Sequence, residues 1–509
     1  MSGPLSLVGT TPGRPGPGGT IAAPGRRRRV PSWARPDPMA ELAERLGESC
    51  ASAVHPDEVA ALLESEGLTD EQITGEYRHR DLFSLAAELF AYVPRAFPEP
   101  EPVPDPWAAD VWRCVLRGLT FALPGVAYLL GGRWAAGPDG PFGVSRAVAA
   151  WGAAALCGWG WNQALAHRAH LLLLVGRPRA AARFLLTGAV SGALLSTLAA
   201  ACVLGAARPA ALAFAAGQSL YIAAATALLV LGRERALLHV LVPLTVAACC
   251  GATKLPSAVV AAVLAATVLA TAGTALSALL AAGSPPAADK GKGKDGAANR
   301  RAARARSVPA GLRELWRPEE EVAADAAVPA HVSLPHGLAG LAGGALVIAA
   351  ALSGEFVAAL TVSMGIAEWL LFRIRSRCLV ALRATGVGER LVVRSWRVLA
   401  GCLGWYAATL VALAAVEAVA LPGAADWSAG HVAVLLALGG TLWLQLLLQS
   451  CGRPWTGAGV LGAAAATAVV LLAVHAAAPG RVLGLVCAGA CVLLLAAARA
   501  ITGRVTTHR

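Results

Sequence analysis

Apolar residues in this chain come in long unbroken runs rather than in the spaced stripes of soluble helices. A membrane-crossing helix needs about 20 mostly apolar residues. Runs of that kind are read at Val111–Gly131, Val144–Leu165, Phe184–Gly205, Pro209–Gly232, Ala236–Lys254 and Pro256–Ala282. After a polar, basic gap at 283–335 they resume at His336–Ser353, Phe356–Phe372, Trp396–Leu421, His431–Gln449, Gly457–Ala478 and Val482–Ala500. The pattern predicts an all-α integral membrane protein with about twelve transmembrane helices in two six-helix halves. The loop 283–335 joins the halves, with Arg304 to Arg317 expected to lie helical on the anionic leaflet.

Charge gives an independent test of that count. With the N-terminus inside, the inner loops collect Arg177, Arg179 and Arg183, then Arg233 and Arg235, the basic run KGKGKDGAANRRAARAR, and Arg373, Arg375 and Arg377. The outer loops hold Arg133, Arg146, Arg208, Lys254 and Arg481. Cytoplasmic loops carry the excess of Lys and Arg, so both termini, with the tail 501–509, are expected in the cytoplasm of a cell-membrane protein.

Before the first span the pattern changes. Residues 1–38 are rich in Pro, Gly and Arg and read as a disordered basic tail. Residues 39–95 form a small acidic domain with four short helices: near Ala40–Leu46, after Pro56, from Thr69 with Gln72 in a capping box, and from Asp81. It is expected in the cytosol, docked on the membrane part or recruiting a protein partner. The Pro-rich stretch 96–110 is a stiff linker.

Composition agrees: of 509 residues 56% are hydrophobic and only 15% charged, against about 25% charged in soluble domains. The net charge of +12 sits in loops that orient a membrane protein, so nucleic acid is not an expected partner. The lipid bilayer is. The cysteines lie mostly inside apolar runs and show no zinc-ligand spacing, so neither a metal nor a cofactor is expected. GKGKDG lacks the Walker A spacing and no Gly-x-Ser-x-Gly elbow occurs, so no enzymatic activity is expected.

Ionisable and polar residues inside spans are costly and so are the natural site candidates. These are Glu368 and Glu417 for coupling or substrate binding, Asn162 and Gln163 in the second span, Arg113 and Arg117 in the first, and Lys254 at an outer end. All but Glu417 have a plainer reading: Glu368 as partner of an Arg such as Arg373, Arg113 and Arg117 as anchors reaching the interface, Asn162 and Gln163 as interhelical hydrogen bonders, Lys254 as an interfacial residue.

The halves echo each other: Trp159 and Gly176 correspond to Trp369 and Gly386 at one offset of 210 residues. HPDEVAALLESEGLTDEQI and EYRHRDLFSLAAELF resemble a segment at the front of multi-pass membrane proteins of actinobacteria and some Firmicutes. The 6+6 plan, with GRPRAAARFLLTGA after the second span, resembles the multidrug/oligosaccharidyl-lipid/polysaccharide exporter superfamily. That resemblance implies a flippase or exporter of a lipid-linked saccharide or another amphiphile. A major-facilitator-like transporter shares the 6+6 count, but VGRPRAAAR lacks the Asp of that group's loop signature. A non-transporting scaffold is the reading from a different class.

Overall fold

The computed structural model describes residues 37–96, 105, 107, 110–135, 144–205, 208–249, 255–283, 308–316, 329–384, 388–420 and 427–502. The basic tail, the Pro-rich stretch at 97–104 and most of the loop 283–335 lie outside these residues, as do Lys254 and Gly386. The chain divides into two compact units, at Met1–Pro104 and Asp105–Arg509, each described here by itself. No extended strand occurs among the described residues.

The first unit contains α1 (Pro38–Ser52), α2 (Pro56–Ser65), α3 (Asp70–Gly75) and α4 (Leu82–Tyr92). Its helix starts are written locally. Pro56 opens α2 behind His55, whose ring accepts from the Asp57 amide. The Thr69–Gln72 capping box forms: the Gln72 amide donates to Thr69 Oγ1 at 3.4 Å and the Thr69 amide to Gln72 Oε1 at 3.0 Å. A second box starts α4, with the Ser84 amide donating to Asp81 Oδ1 at 2.7 Å. Leu42, Val59, Leu63, Leu85 and Leu89 close the core. Each such leucine contributes about 2 kcal/mol by leaving water.

The second unit is a bundle of long helices. Nine helices among its described residues are long and apolar enough to cross a bilayer. They are Val111–Trp134, Pro178–Leu204, Pro209–Val230, Ser257–Gly283, His331–Leu352, Val392–Ala420, Ala429–Ser450, Pro454–Ala473 and Pro479–Ile501. The chain is therefore an all-α, multi-pass membrane protein. Its outward apolar side chains agree: Val419 is 90% and Leu485 76% exposed, surface that only lipid covers cheaply.

The first of these segments comprises α5 (Val111–Ala122), a 3₁₀ turn at Leu123–Gly125, and α6 (Val126–Gly131). Then follow α7 (Arg146–Leu174), α8 (Pro178–Leu204), α9 (Pro209–Val230), α10 (Glu234–Cys249) and α11 (Ser257–Gly283). A short α12 (Val308–Leu315) precedes α13 (Leu334–Leu352), α14 (Val357–Val362), α15 (Met364–Ala384), α16 (Gly388–Ala420), α17 (Ala429–Ser450), α18 (Pro454–Ala473) and α19 (Pro479–Thr502).

Three runs read as spans, Val144–Leu165, Ala236–Lys254 and Phe356–Phe372, form helices among their described residues but stand outside the nine, each for a physical reason. Helix α7 carries Arg168 and four histidine or amide groups, Asn162, Gln163, His167 and His170, in its second half. Helix α10 has 16 residues with Pro243 inside. The third run is broken at Ser363 into α14 and α15, and α15 continues through Arg373, Arg375 and Arg377. Of the expected leaflet helix at Arg304–Arg317, the described residues hold α12, Val308–Leu315, and its Leu315 is buried against Gly283 at the end of α11.

Helix α7 packs on α8 and α9, α9 on α11, α10 on α11, and α5 with α6 on α10. In the later part α15 packs on α16, α16 on α17, α17 on α19, α18 on α19, and α13 on α18. Two crossings connect the earlier helices to the later ones: α5 against α14 and α15, and α7 against α13. Two turns also match. Gly232 (φ 67°) and Gly452 (φ 73°) end α9 and α17 in the left-handed region, each followed by an Arg whose amide donates back into the helix.

Candidate functional site

Both crossings use glycine to bring backbones together, as membrane helices without a hydrophobic drive between them require. A Cβ on Gly118 of α5 would stand 3.0 Å from the Gly365 Cα of α15. At the other crossing, a Cβ on Gly337 of α13 would stand 3.3 Å from the Gly160 carbonyl oxygen of α7.

The close approach of α5 and α15 sets a charged cluster beside it. Arg117, next to Gly118, donates from Nη1 to Glu368 Oε1 at 2.6 Å. Its Nε stands 3.9 Å from Glu234 Oε1, at the start of α10. One arginine thus faces two carboxylates from two other helices. Arg113 lies a turn earlier on α5, exposed, and its charge acts on Glu368. On α15 and at the break before it the site is anchored by its neighbours: Trp443 Nε1 donates to the Ala367 carbonyl at 3.1 Å, and Ser363 Oγ lies 3.1 Å from Tyr406 Oη.

The plain reading paired Glu368 with an Arg such as Arg373. Instead Arg373 lies over the Trp369 ring, 5.0 Å from its centroid, and the partner comes from α5. Nor does Arg117 simply reach for an interface, since Glu368 holds it. Lys254 lies outside the described residues.

Glu417 stands apart from this cluster. Its Oε2 accepts from the Ala359 amide at 2.6 Å, and the Ala358 amide also bonds it, so it caps the N-terminus of α14. Asn162 is buried, and its amide donates to Gly158 of its own helix at 2.7 Å rather than to another helix. Gln163 packs beside Gly340 at the α7–α13 crossing. The sites read along the sequence therefore do not gather in one place. Arg113, Arg117 and Glu368 meet, Asn162 and Gln163 lie along α7, and Glu417 serves a helix end.

Four further residues carry no such signal in the sequence. Glu234 reads as the first residue of an amphipathic helix. His167 and His336 stack at the α7–α13 crossing with ring centroids 3.6 Å apart, and His167 Nδ1 lies 3.0 Å from Ser333 Oγ. Glu355, in the turn before α14, is 8% exposed, and neither carboxylate oxygen has a hydrogen-bond partner. A glutamate beside Gly354 reads as an ordinary loop residue, and only packing reveals its burial. Among the described residues no group of three or more His, Cys, Asp or Glu could hold a metal ion.

No family model, no curated protein and no solved structure matches the chain.

Proposed function

We propose that the chain is a transporter-like protein of the cell membrane, in which two six-helix halves rock about the α5–α15 and α7–α13 crossings. The pairing of helices carries this reading. Taking α5 with α6, and α14 with α15, as single segments, each pairing among segments one to six recurs among segments seven to twelve. Segment two meets three, three meets four, four meets six, five meets six and one meets five. The later partners are eight with nine, nine with ten, ten with twelve, eleven with twelve and seven with eleven. The two crossings, one with eight and two with seven, exchange when the halves are exchanged. Parallel repeats about an axis along the membrane normal have this property.

The Arg117–Glu368 pair spans the joint and acts as its latch. It holds while the crossing is closed and must part, with its charges hydrated or met by substrate, for the halves to separate. Arg113 beside it offers an anionic headgroup a cation. The substrate class in this reading is a lipid-linked saccharide or another amphiphile, and no chemical step is involved. The exporter superfamily resembled by the sequence is the kind of protein meant.

The test is reconstitution of the full chain in vesicles carrying a fluorescent lipid-linked saccharide, with a membrane-impermeant quencher reporting movement between leaflets. The expected result is transfer above the rate of empty vesicles, changed at least about tenfold by Glu368→Gln, a barrier change of about 1.4 kcal/mol. Folded protein without transfer would overturn the reading. Gradient-driven uptake of a soluble solute instead would favour a major-facilitator-like carrier.

A scaffold is the second reading, favoured by the first unit having a closed core of its own and Glu41, Glu44, Glu48, Glu58 and Glu64 on its helices. Specific capture of a cytosolic protein by the full chain, lost on reversing these charges, together with no transfer, would support it.

A further inference from the structure

Two carboxylates belong to the region where α14 starts, and only one receives donors. The helix end offers free amides at Ala358 and Ala359. Glu417, reaching over from α16, takes both. Glu355 comes immediately before this end, in the turn between α13 and α14 and outside both helices. Its backbone is tied in, with its amide donating to the Ala350 carbonyl and its carbonyl accepting from the Val357 amide. Its side chain is turned inward. Oε1 lies 2.8 Å from where a Cβ on Gly480, at the start of α19, would stand. It is buried, and both oxygens lack a hydrogen-bond donor.

An ionised carboxylate in that position loses its water and receives nothing in exchange. Protonation removes the charge. We propose that Glu355 is a reversible proton-binding site, distinct from the Arg117–Glu368 cluster. Glu355 lies thirteen positions before Glu368. Glu355 precedes α14, whereas Glu368 lies on α15 beyond the break at Ser363.

The surrounding charges set the proton's affinity. Burial pushes the Glu355 carboxyl above the ordinary glutamate range, and the positive form of His431, from the first turn of α17, pulls it down. Glu417 from α16 is satisfied by the amides, and Arg481, beside Gly480 on α19, is exposed. The proton's binding and release thus answer to His431. This inference holds whether or not the chain transports.

Infrared spectra of the purified full chain between about pH 5 and 8, above the ordinary glutamate value of about 4.3, test it. The carbonyl stretch of a protonated carboxylic acid is expected in the wild type, lost as pH rises through the site's titration and missing that component in Glu355→Gln. In His431→Gln the same band persists to higher pH, because an opposing positive charge is gone. That second variant carries the test if the first fails to fold. Identical spectra for wild type and Glu355→Gln would overturn the proposal. So would sodium ions raising the Tm of the wild type but not of Glu355→Gln, since the site would then bind a cation.

Discussion

Arg117 of α5 and Glu368 of α15 are 251 positions apart in the chain and joined by a 2.6 Å hydrogen bond between charged groups. Each side chain is only partly exposed, at 32% and 23%. Truncating one partner leaves the other without its charge. Arg117→Gln and Glu368→Gln are each expected to lower stability by about 1.5–3 kcal/mol. The double variant is expected to lose less than the sum, because no charge is stranded. Thermal unfolding of the four proteins in detergent completes the cycle, and strict additivity would mean that the pair is not coupled.

The glycines beside it make a steric prediction. Gly118→Val puts a branched side chain where even a Cβ meets the Gly365 Cα at 3.0 Å. The crossing must open, at about 1–3 kcal/mol. Gly401→Val on α16, where nothing lies within 4 Å of the added Cβ, is the control. Equal Tm values for the two variants would refute the close crossing.

Glu417 makes a prediction about helix ends. Glu417→Gln keeps an oxygen that accepts from Ala358 and Ala359, whereas Glu417→Ala removes it. Hydrogen exchange at these two amides is expected to be faster in the Ala variant than in the Gln variant. Equal protection in both would deny the cap.

In the first unit, Leu63 and Leu85 are fully buried. Leu63→Ala is expected to cost about 2–5 kcal/mol. Proteolysis of the full chain, followed by mapping of the cut sites, checks this: cuts within 38–92 should speed up while the second unit stays intact.

Asp81 links that unit to pH. The backbone hydrogen bond from Ser84 holds its carboxyl below the usual aspartate range, with the Ser84 hydroxyl and Arg80 adding to it. A depressed acid contributes stability that is present above its unfolded value and lost as pH falls through its folded value. Exchange at the Ser84 amide is therefore expected to lose protection relative to the core amides as pH falls below the ordinary aspartate value of about 3.9. Asp81→Ala should abolish that pH dependence and leave the amide unprotected throughout.

How far these features can be read in the chain depends on their range. Helix starts such as Thr69–Gln72 and Asp81–Ser84 are local, and a few consecutive residues specify them. Apolar runs specify themselves too, because any backbone crossing lipid must satisfy its own hydrogen bonds. The multi-pass, all-helical class therefore follows from hydropathy alone, and Glu368 stood out because a carboxylate inside such a run is costly. Which cation meets it was not legible. Arg373 is five residues away and Arg117 is 251, and only the close passage of Gly118 over Gly365 decides between them. Glu355 shows the converse. It looks exposed in the sequence because it adjoins a turn, and it is buried because α19 brings Gly480 against it. Hydropathy sets what each segment is, since that is a contest between the segment and its solvent. The tertiary structure alone decides which segments touch, since that depends on shape at crossings the chain reaches only after folding.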